Sequence, residues 1–320
     1  MGIFKQWKWG GRYGLHTGRP VIYGESLFDL FEGGKAVFGG APFNVAWHLK
    51  NFELNPLFIT RVGKDGQGRR ILEFMERLEM DMSGVQLDKE HATGQVHVSV
   101  VDGHPTYHIV PNRAFDYIDS ADVRKILKKT HCSIFYHGSL ITRSKTSRET
   151  LLVAQRIIQN NNIFLSLNLR PPWYDHDTIE KAMSAARWCK LSVQELDAIP
   201  GCGAPTEALR EQAAIKLRKR YNLSALMVTL GAEGAFLVDS NDKVIRGSPV
   251  VVESVIDTVG AGDAFVAVML LGILKKWSPQ VSLRRAIRFA ADLCGWSGAV
   301  SQGGTLHHAR MLSWDHEDRI

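Results

Sequence analysis

Apolar residues recur along this chain at two spacings, and each spacing predicts a different element. Residues 21–31 (VIYGESLFDLF) are rich in β-branched and aromatic side chains, which is typical of a strand. In residues 41–52 the apolar positions fall on one helical face, which predicts a helix. A short apolar strand at 56–60 and a second amphipathic helix at 66–78 follow in the same order.

The same alternation resumes in the second half of the chain. Strand-like segments lie at 133–138, 163–169, 186–192 and 225–231, and helical segments lie near 147–160, 177–184 and 206–220. Strands that alternate with helices are typical of a parallel sheet covered by helices on both faces. We therefore predict an α/β fold with a mainly parallel sheet.

One segment departs from this rhythm. In residues 93–110 valines alternate with more polar residues, as in a half-buried strand, and Asp102-Gly103 supplies a turn before a return strand. Together with the strands expected around 29–38, this hairpin predicts a small β-sheet lid over one end of the large sheet, with lid strands within 29–38 and 93–112. The alternative is an edge hairpin with a structural role only.

Composition and charge narrow the classes of function. The chain has 320 residues, of which 45% are hydrophobic and 22% charged, as is ordinary for a globular protein. The net charge of +6 favours encounters with anionic small molecules. Because the basic residues are scattered among 33 acidic ones, we expect no nucleic-acid partner.

Neither a membrane segment nor an oxidising environment is expected. The longest apolar run, Phe265–Leu274, is about half of the roughly 20 residues that a transmembrane helix needs. Residues 1–20 contain no apolar core of the signal-peptide kind, and they predict a loose extension. The four cysteines form no Cys-x-x-Cys pair, so neither a disulfide framework nor a zinc site is expected. These features predict a cytoplasmic protein.

The stretch DTVGAGDAF, residues 257–265, carries the strongest chemical signal. The first amides of a helix beginning near Ala261 lack intrahelical partners, and the flanking glycines let an anion approach them. Asp263 could simply complement the helix dipole. It could instead accept a proton from an alcohol that attacks phosphorus, since its ordinary pKa of about 3.9 leaves it ionised at neutral pH.

Two motifs resemble signatures of one family. DTVGAGDAF resembles the C-terminal signature of the PfkB, or ribokinase-like, sugar kinases, and FGGAPFNVAWHL (38–49) resembles their N-terminal signature. Two signatures in the expected order are far more specific than either alone. The resemblance implies a kinase domain over 21–306 and a C-terminal tail over 307–320.

The family resemblance implies a three-layer α/β/α sandwich with a β lid and ATP-dependent phosphorylation of a sugar hydroxyl. It implies a catalytic base and an anion hole at Asp263, Gly260, Ala261 and Gly262. It implies sugar contacts at Asp29, Gly39, Gly40, Asn44, Asn168 and Arg170. The last two lie in SLNLR, where Ser166 replaces the usual Asp, and they could instead only cap a strand.

The resemblance also implies nucleotide and cation contacts. The nucleotide-side residues are Lys190, Ser192, Thr229, Gly231, Gly234, Thr258 and Gly262. Glu195 matches the acidic residue associated with Mg²⁺, although Ser192 replaces the usual Asn of that motif. Asp257 stands where a K⁺ site would be. From the residues alone, Gly231 and Gly234 could equally be only a hairpin turn.

Fructokinases are the branch that this chain resembles most, through GESLFD (24–29) and FGGAPFNVAWHL (38–49). D-Fructose, phosphorylated to fructose 6-phosphate, is therefore the first choice of substrate. The alternatives are 2-keto-3-deoxygluconate, whose carboxylate Arg113 or Arg170 could bind, another sugar, or a catalytically silent sugar-binding regulator. The expected partners are a small sugar and ATP, and the family resemblance also suggests a homodimer that pairs through the lid.

Overall fold

The computed structural model describes residues 18–101, 104–158, 162–203, 206–300 and 304–318. Most of the predicted extension and the turn at Asp102-Gly103 lie outside these ranges. The described strands, numbered in chain order, are β1 (Arg19–Tyr23), β2 (Leu27–Phe31), β3 (Ala36–Gly39), β4 (Leu57–Gly63), β5 (Val85–Asp88), β6 (Gly94–Val101), β7 (His104–Ile109), β8 (Cys132–Gly138), β9 (Ile163–Ser166), β10 (Trp188–Ser192), β11 (Ala225–Thr229), β12 (Ala235–Asp239) and β13 (Val244–Gly247). The described α-helices are α1 (Ala41–Asn51), α2 (Gly66–Arg77), α3 (Ser120–Leu127), α4 (Lys145–Ile158), α5 (His176–Ala185), α6 (Val193–Ala198), α7 (Glu207–Arg220), α8 (Ala261–Leu274), α9 (Pro279–Leu293) and α10 (Thr305–Glu317).

Within the described ranges, nine strands form one large sheet in the order β13-β12-β11-β10-β9-β8-β1-β4-β5. The seven strands from β11 to β5 run parallel to their neighbours, which confirms the predicted mainly parallel sheet. β12 and β13 add an antiparallel edge. The alternation of strands and helices did not predict this edge, in which the tight turn at Gly231–Glu233 joins β11 to β12, as in the hairpin-turn alternative for Gly231 and Gly234.

Helices cover both faces of the large sheet because its side chains alternate in direction. On β1, Ile22 packs in the cluster that contains α1 and α8, whereas Val21 and Tyr23 pack in the cluster that contains α3 and α4. Further along the second face, α5, α6 and α7 cover β9 to β12. The fold is therefore the three-layer α/β/α arrangement of ribokinase-like proteins.

Helix α8 lies inside the core. Its residues from Ala264 to Ile273 are all buried, as expected for a helix that is apolar on every side. It packs against both α1 and α9. Within the ranges that the structure describes, no helix combines the length and the hydrophobicity that crossing a membrane requires.

The prediction of one strand at 21–31 was wrong, because this segment forms two strands in two different sheets. β1 belongs to the large sheet, and β2 belongs to a small sheet of order β3-β2-β6-β7. All side chains from Val21 to Phe28 are buried, so the apolar run gives no sign of the break at Gly24–Ser26. The predicted lid strands are confirmed as this separate sheet.

The small sheet packs against α2 and lies close to the loop that follows α9. Phe38 of β3 stacks on Phe74 of α2 with ring centroids 4.5 Å apart. Val37 lies 3.8 Å from the position that a Cβ on Gly298 would take, next to the loop that follows α9. Tyr107 on β7 is 53% exposed, and pairing of two copies through this sheet stays a prediction.

The C-terminal helix α10 packs on the core. It spans the predicted boundary between domain and tail at residues 306 and 307. His307 of α10 forms a 2.8 Å hydrogen bond with His48 of α1, and both are buried. Trp314 lies against Phe52 at a centroid distance of 5.6 Å. The last helix therefore braces the far end of α1.

Candidate active site

The N-terminus of α8 forms an anion cradle. Gly260 precedes the helix with φ of 83°, and no side chain caps the first turn. A Cβ on Gly260 would lie 2.4 Å from the Cβ of Ala299, so this position requires glycine. The amide of Ala261 donates to the carbonyl of Thr258 at 3.2 Å. The next amides of the first turn have no intrahelical acceptor and present partial positive charge to an anion.

Asp263 lies in this first turn, partly exposed at the mouth of the site. Its Oδ2 accepts a 2.8 Å hydrogen bond from Nδ2 of Asn44 on α1. Burial raises the pKa of Asp263 to about 6, and Asn44, Lys190 and Arg170 oppose that rise. A carboxylate that served only to stabilise the helix would have a lowered pKa. The raised pKa is the kind of shift often found at catalytic carboxyl groups, and the role of Asp263 as a base stays a prediction.

Gly39 and Gly40 lie where the small sheet joins α1. A Cβ on Gly40, whose φ is 102°, would lie 2.7 Å from the carbonyl oxygen of Glu25. A Cβ on Gly39 would lie 2.6 Å from Oδ2 of Asp29. Burial raises the pKa of Asp29 to about 6, and the charge of Arg170 opposes this. The two glycines thus let an acidic side chain approach the start of α1.

Glu25 was not among the predicted site residues, yet it belongs to this group of carboxyl groups. It directly follows β1, is 2% exposed, and its Oε2 has no hydrogen-bond partner among the described residues. Burial raises its pKa to about 7, and the neighbouring charge of Asp263 adds to the rise. The available signal was an acidic residue at the carboxyl end of an apolar strand, where ligand sites of α/β sheets form.

Asn168 and Arg170 lie on the loop that follows β9. Asn168 has a positive φ of 44°, and its carbonyl accepts a 3.2 Å hydrogen bond from Oγ of Ser139. The positive charge of Arg170 lowers the pKa of each of the three carboxyl groups described above. Arg170 therefore lies within electrostatic range of all three, and its contact with a sugar stays a prediction.

A cavity of about 570 Å³ lies beside the cradle. It brings together six of the predicted residues, Thr229, Gly231, Gly234, Thr258, Ala261 and Gly262. Its apolar wall includes Phe265, the last residue of DTVGAGDAF, together with Val250, Ile287, Ala290 and Cys294, which belong to no motif and were not predicted. A mostly apolar cavity of this volume with a few polar groups is typical of a small-molecule site.

Lys190 and Ser192 lie near the end of β10, outside the wall of this cavity. The Nζ of the buried Lys190 lies 3.7 Å from the position that a Cβ on Gly262 would take, so its charge adds to the cradle. Ser192 caps α6, because its Oγ accepts a 3.2 Å hydrogen bond from the amide of Glu195. In this structure Ser192 therefore serves as the N-cap of α6.

The carboxylates of the two predicted cation ligands both bind backbone amides. Glu195 accepts from the amides of Leu169 and Ser192, each at 2.6 Å. Asp257 accepts from the amides of Val259 and Gly298, each at 2.9 Å. In the described ranges no three His, Cys, Asp or Glu side chains converge as metal ligands would. Cation binding by these two residues stays a prediction.

Comparisons with known proteins concern the family of this chain. The sequence profile described as pfkB family carbohydrate kinase matches residues 28–303. A fructokinase from Klebsiella pneumoniae is 27% identical over 312 residues, which cover 90% of this chain and 95% of that protein.

Two solved structures show the same fold. A Vibrio cholerae O395 fructokinase with bound fructose, ADP and calcium ion has a TM-score of 0.73 and 24% identity, covering 92% of this chain and 98% of that one. A 2-dehydro-3-deoxygluconokinase from Thermotoga maritima has a TM-score of 0.78 and 15% identity, covering 92% of this chain and 99% of that one. At these identities the likeness extends to the fold alone.

Proposed function

Because this chain belongs to the pfkB family of carbohydrate kinases, which transfer a phosphoryl group to an alcohol, we propose that it phosphorylates D-fructose at the primary 6-hydroxyl with ATP. The Klebsiella pneumoniae relative supports this substrate. In the proposed reaction Asp263 accepts the hydroxyl proton while the sugar oxygen attacks the γ-phosphorus, and ADP leaves. Asn44 holds the carboxylate of Asp263 in position for that transfer.

The nucleotide fits the cavity beside α8. Its glycine-lined wall opens onto the cradle, where the amides of the first helical turn and the charge of Lys190 would stabilise the transferring phosphoryl group. Mg²⁺ takes many of its ligands from phosphate oxygens and water, which suits a site with few converging protein carboxylates. The ion would neutralise charge on the phosphates.

The observation that carries the choice of a neutral sugar is the group of three carboxyl groups around one arginine. Glu25, Asp29 and Asp263 all respond electrostatically to Arg170. Carboxylates accept hydrogen bonds from sugar hydroxyls. Their combined negative charge would repel a substrate carboxylate, and the single charge of Arg170 does not balance it.

An acidic substrate is the second candidate, because the Thermotoga maritima neighbour is a 2-dehydro-3-deoxygluconokinase. Arg113 is the further cation that could bind such a carboxylate. Its Nε is buried and has no hydrogen-bond partner among the described residues. This unpartnered donor of Arg113 favours an acidic substrate. The three carboxyl groups favour a neutral ketohexose, and we give them more weight.

A coupled assay of ADP release across several sugars tests the substrate. With saturating ATP and Mg²⁺, we expect fructose to give the highest kcat/KM among fructose, ribose, 2-keto-3-deoxygluconate and nucleosides. The phosphate should appear on the 6-hydroxyl. Preparations of Asp263→Asn serve as the control for contaminating kinases. A higher kcat/KM for 2-keto-3-deoxygluconate would overturn the choice of fructose, and sugar binding without ADP release would indicate the silent regulator.

A second test separates two roles for Glu195. Glu195→Ala removes both hydrogen bonds that join β10 to the loop carrying Asn168 and Arg170. Charge-assisted hydrogen bonds contribute about 1.5–3 kcal/mol each, so we expect the KM for sugar to rise at least about tenfold. The Mg²⁺ concentration that gives half-maximal rate should stay unchanged. The exposed Glu149→Ala is the matched control. A raised Mg²⁺ requirement with an unchanged sugar KM would instead make Glu195 a metal ligand.

A further inference from the structure

A second cavity, of about 690 Å³, lies next to the nucleotide cavity and is rich in arginine. Its wall contains Arg246, Arg284, Arg285, Arg288 and Arg310. We call it the arginine cavity. Its volume falls within the range of small-molecule sites. None of the family motifs described above includes its arginines.

Two of these arginines keep most of their hydrogen-bond donors free. Arg288 and Arg310 both donate to the single carboxylate of Asp292, at 3.1 Å and 2.5 Å. Each uses only its Nε. In the part of the chain that the structure describes, their four Nη groups bind no protein acceptor. Such forked donors match the oxygens of a phosphate.

The other two arginines of α9 differ in pairing, because Arg285 also donates to the carboxylate of Asp318 and to the carbonyl of Trp314. Arg284 and Arg285 share Glu317, at 2.9 Å and 3.3 Å. The side chain of Arg285 is 2% exposed, and its guanidinium stacks 4.2 Å from the ring centroid of Trp277 and 5.5 Å from that of Trp314. Its Nε is buried without a partner among the described residues.

Charge is unevenly distributed around the arginine cavity, although the ion pairs as a whole are balanced. The four arginines of α9 and α10 are matched by three carboxylates, those of Asp292, Glu317 and Asp318. Arg246 pairs with two carboxylates, those of Glu207 and Glu211 on α7, so negative charge is in excess on that side. The excess of positive charge therefore lies on the opposite side, along α9 and α10.

We propose that the arginine cavity binds a phosphate-bearing small molecule and that its occupancy changes the affinity for nucleotide. Pro249 and Val250 line both cavities. Helix α9 also lines both, with Ile287 and Ala290 on the nucleotide side and Arg284 and Arg288 on the other. A ligand that draws these arginines together would act on the helix that borders the nucleotide.

Calorimetric titration tests binding without turnover, so the result does not depend on which sugar is phosphorylated. The probes are inorganic phosphate, fructose 1,6-bisphosphate and AMP, at constant ionic strength, with ADP and Mg²⁺ saturating the nucleotide cavity. We expect saturable binding of at least one probe below about 10 mM. The probe that binds most tightly identifies the source of the phosphate.

The variant for this test is Arg284→Gln combined with Arg288→Gln, because both side chains are more than half exposed and their loss should leave the fold intact. We expect it to bind the probe at least about tenfold more weakly. Arg69→Gln combined with Arg77→Gln removes the same charge from α2 and should bind normally. Equal binding by wild type and the α9 variant, or no saturable binding of any probe, overturns the proposed site.

Coupling to the nucleotide is measured separately. In the wild type, the probe should change the KM for ATP about fivefold or more, as is typical of allosteric coupling. The α9 variant should show no such change. An unchanged KM in the wild type, with the probe bound, overturns the coupling.

Discussion

Asp263→Asn is expected to lower kcat by about 10²–10⁴-fold, which is about 3–5 kcal/mol of transition-state stabilisation. Asparagine cannot accept the hydroxyl proton, but it keeps the size of the side chain and can still bind Asn44. The amides of the α8 cradle remain in place, so the KM values for sugar and ATP should change little. Steady-state kinetics on the purified, folded variant measure this effect.

The alternative role for Asp263, complementing the helix dipole, predicts a different result. Such a residue contributes only about 0.3–1 kcal/mol to stability, and its loss would leave turnover nearly intact. A folded variant that retains more than about a tenth of the wild-type kcat would contradict the assignment as base. Glu73→Gln, an exposed change on α2, is the control for handling and folding.

The pKa of Asp263 also predicts a pH profile. The base acts in its ionised form, and its pKa is raised to about 6, so kcat/KM should fall as the pH falls through about 6. Since Glu25 and Asp29 titrate nearby, the acidic limb will report the group of carboxyl groups as a whole. A profile that stays flat down to pH 4.5 would mean that no group with a raised pKa takes part.

Glu25→Gln is expected to stabilise the protein at pH 8 by about 3 kcal/mol, which corresponds to more than a hundredfold in the unfolding equilibrium. The folded-state pKa of Glu25 is about 7, whereas its ordinary value is 4.5. The folded state therefore holds this proton more tightly than the unfolded state does. Ionising Glu25 costs stability that is lost progressively as the pH rises from about 4.5 to about 7.

Denaturant unfolding at two pH values measures this effect. Glutamine removes the buried charge, so the gain over wild type should be full at pH 8 and nearly absent at pH 4. Glu73→Gln should show no gain at either pH. A loss of stability at pH 8 would mean that ionised Glu25 is compensated in the fold.

Local patterns were sufficient to predict the main elements of this protein. The spacing of apolar residues placed α1 and α2 to within a residue or two at each end, because both are long and periodic. The glycines around Asp263 indicated an anion site, because glycines let an anion approach the free amides at the start of a helix. The family resemblance then brought distant residues such as Asn44 and Asp263 into one site, and their side chains lie 2.8 Å apart.

The remaining features depend on contacts that no local pattern contains. The break between β1 and β2 falls in an apolar run in which every side chain is buried, although the two halves belong to different sheets. Glu25 looked ordinary in the sequence, because its raised pKa arises from burial by segments far along the chain. The arginine cavity could not be predicted from the sequence either. Its wall comes from β13, α9 and α10, and each arginine alone has the pattern of a surface residue.

The contact between His48 and His307 connects α10 to the helix that carries Asn44, a candidate site residue. Asn44 and His48 lie one helical turn apart on α1. A shift of α10 would therefore be transmitted through one turn of α1 to Asn44, which donates to Asp263. The family profile ends at residue 303, before α10 begins. A chain shortened to the profile boundary would expose Phe52 and lose the contacts of α10 with α1, so we expect catalysis to depend on residues past the part of the chain that identifies the family.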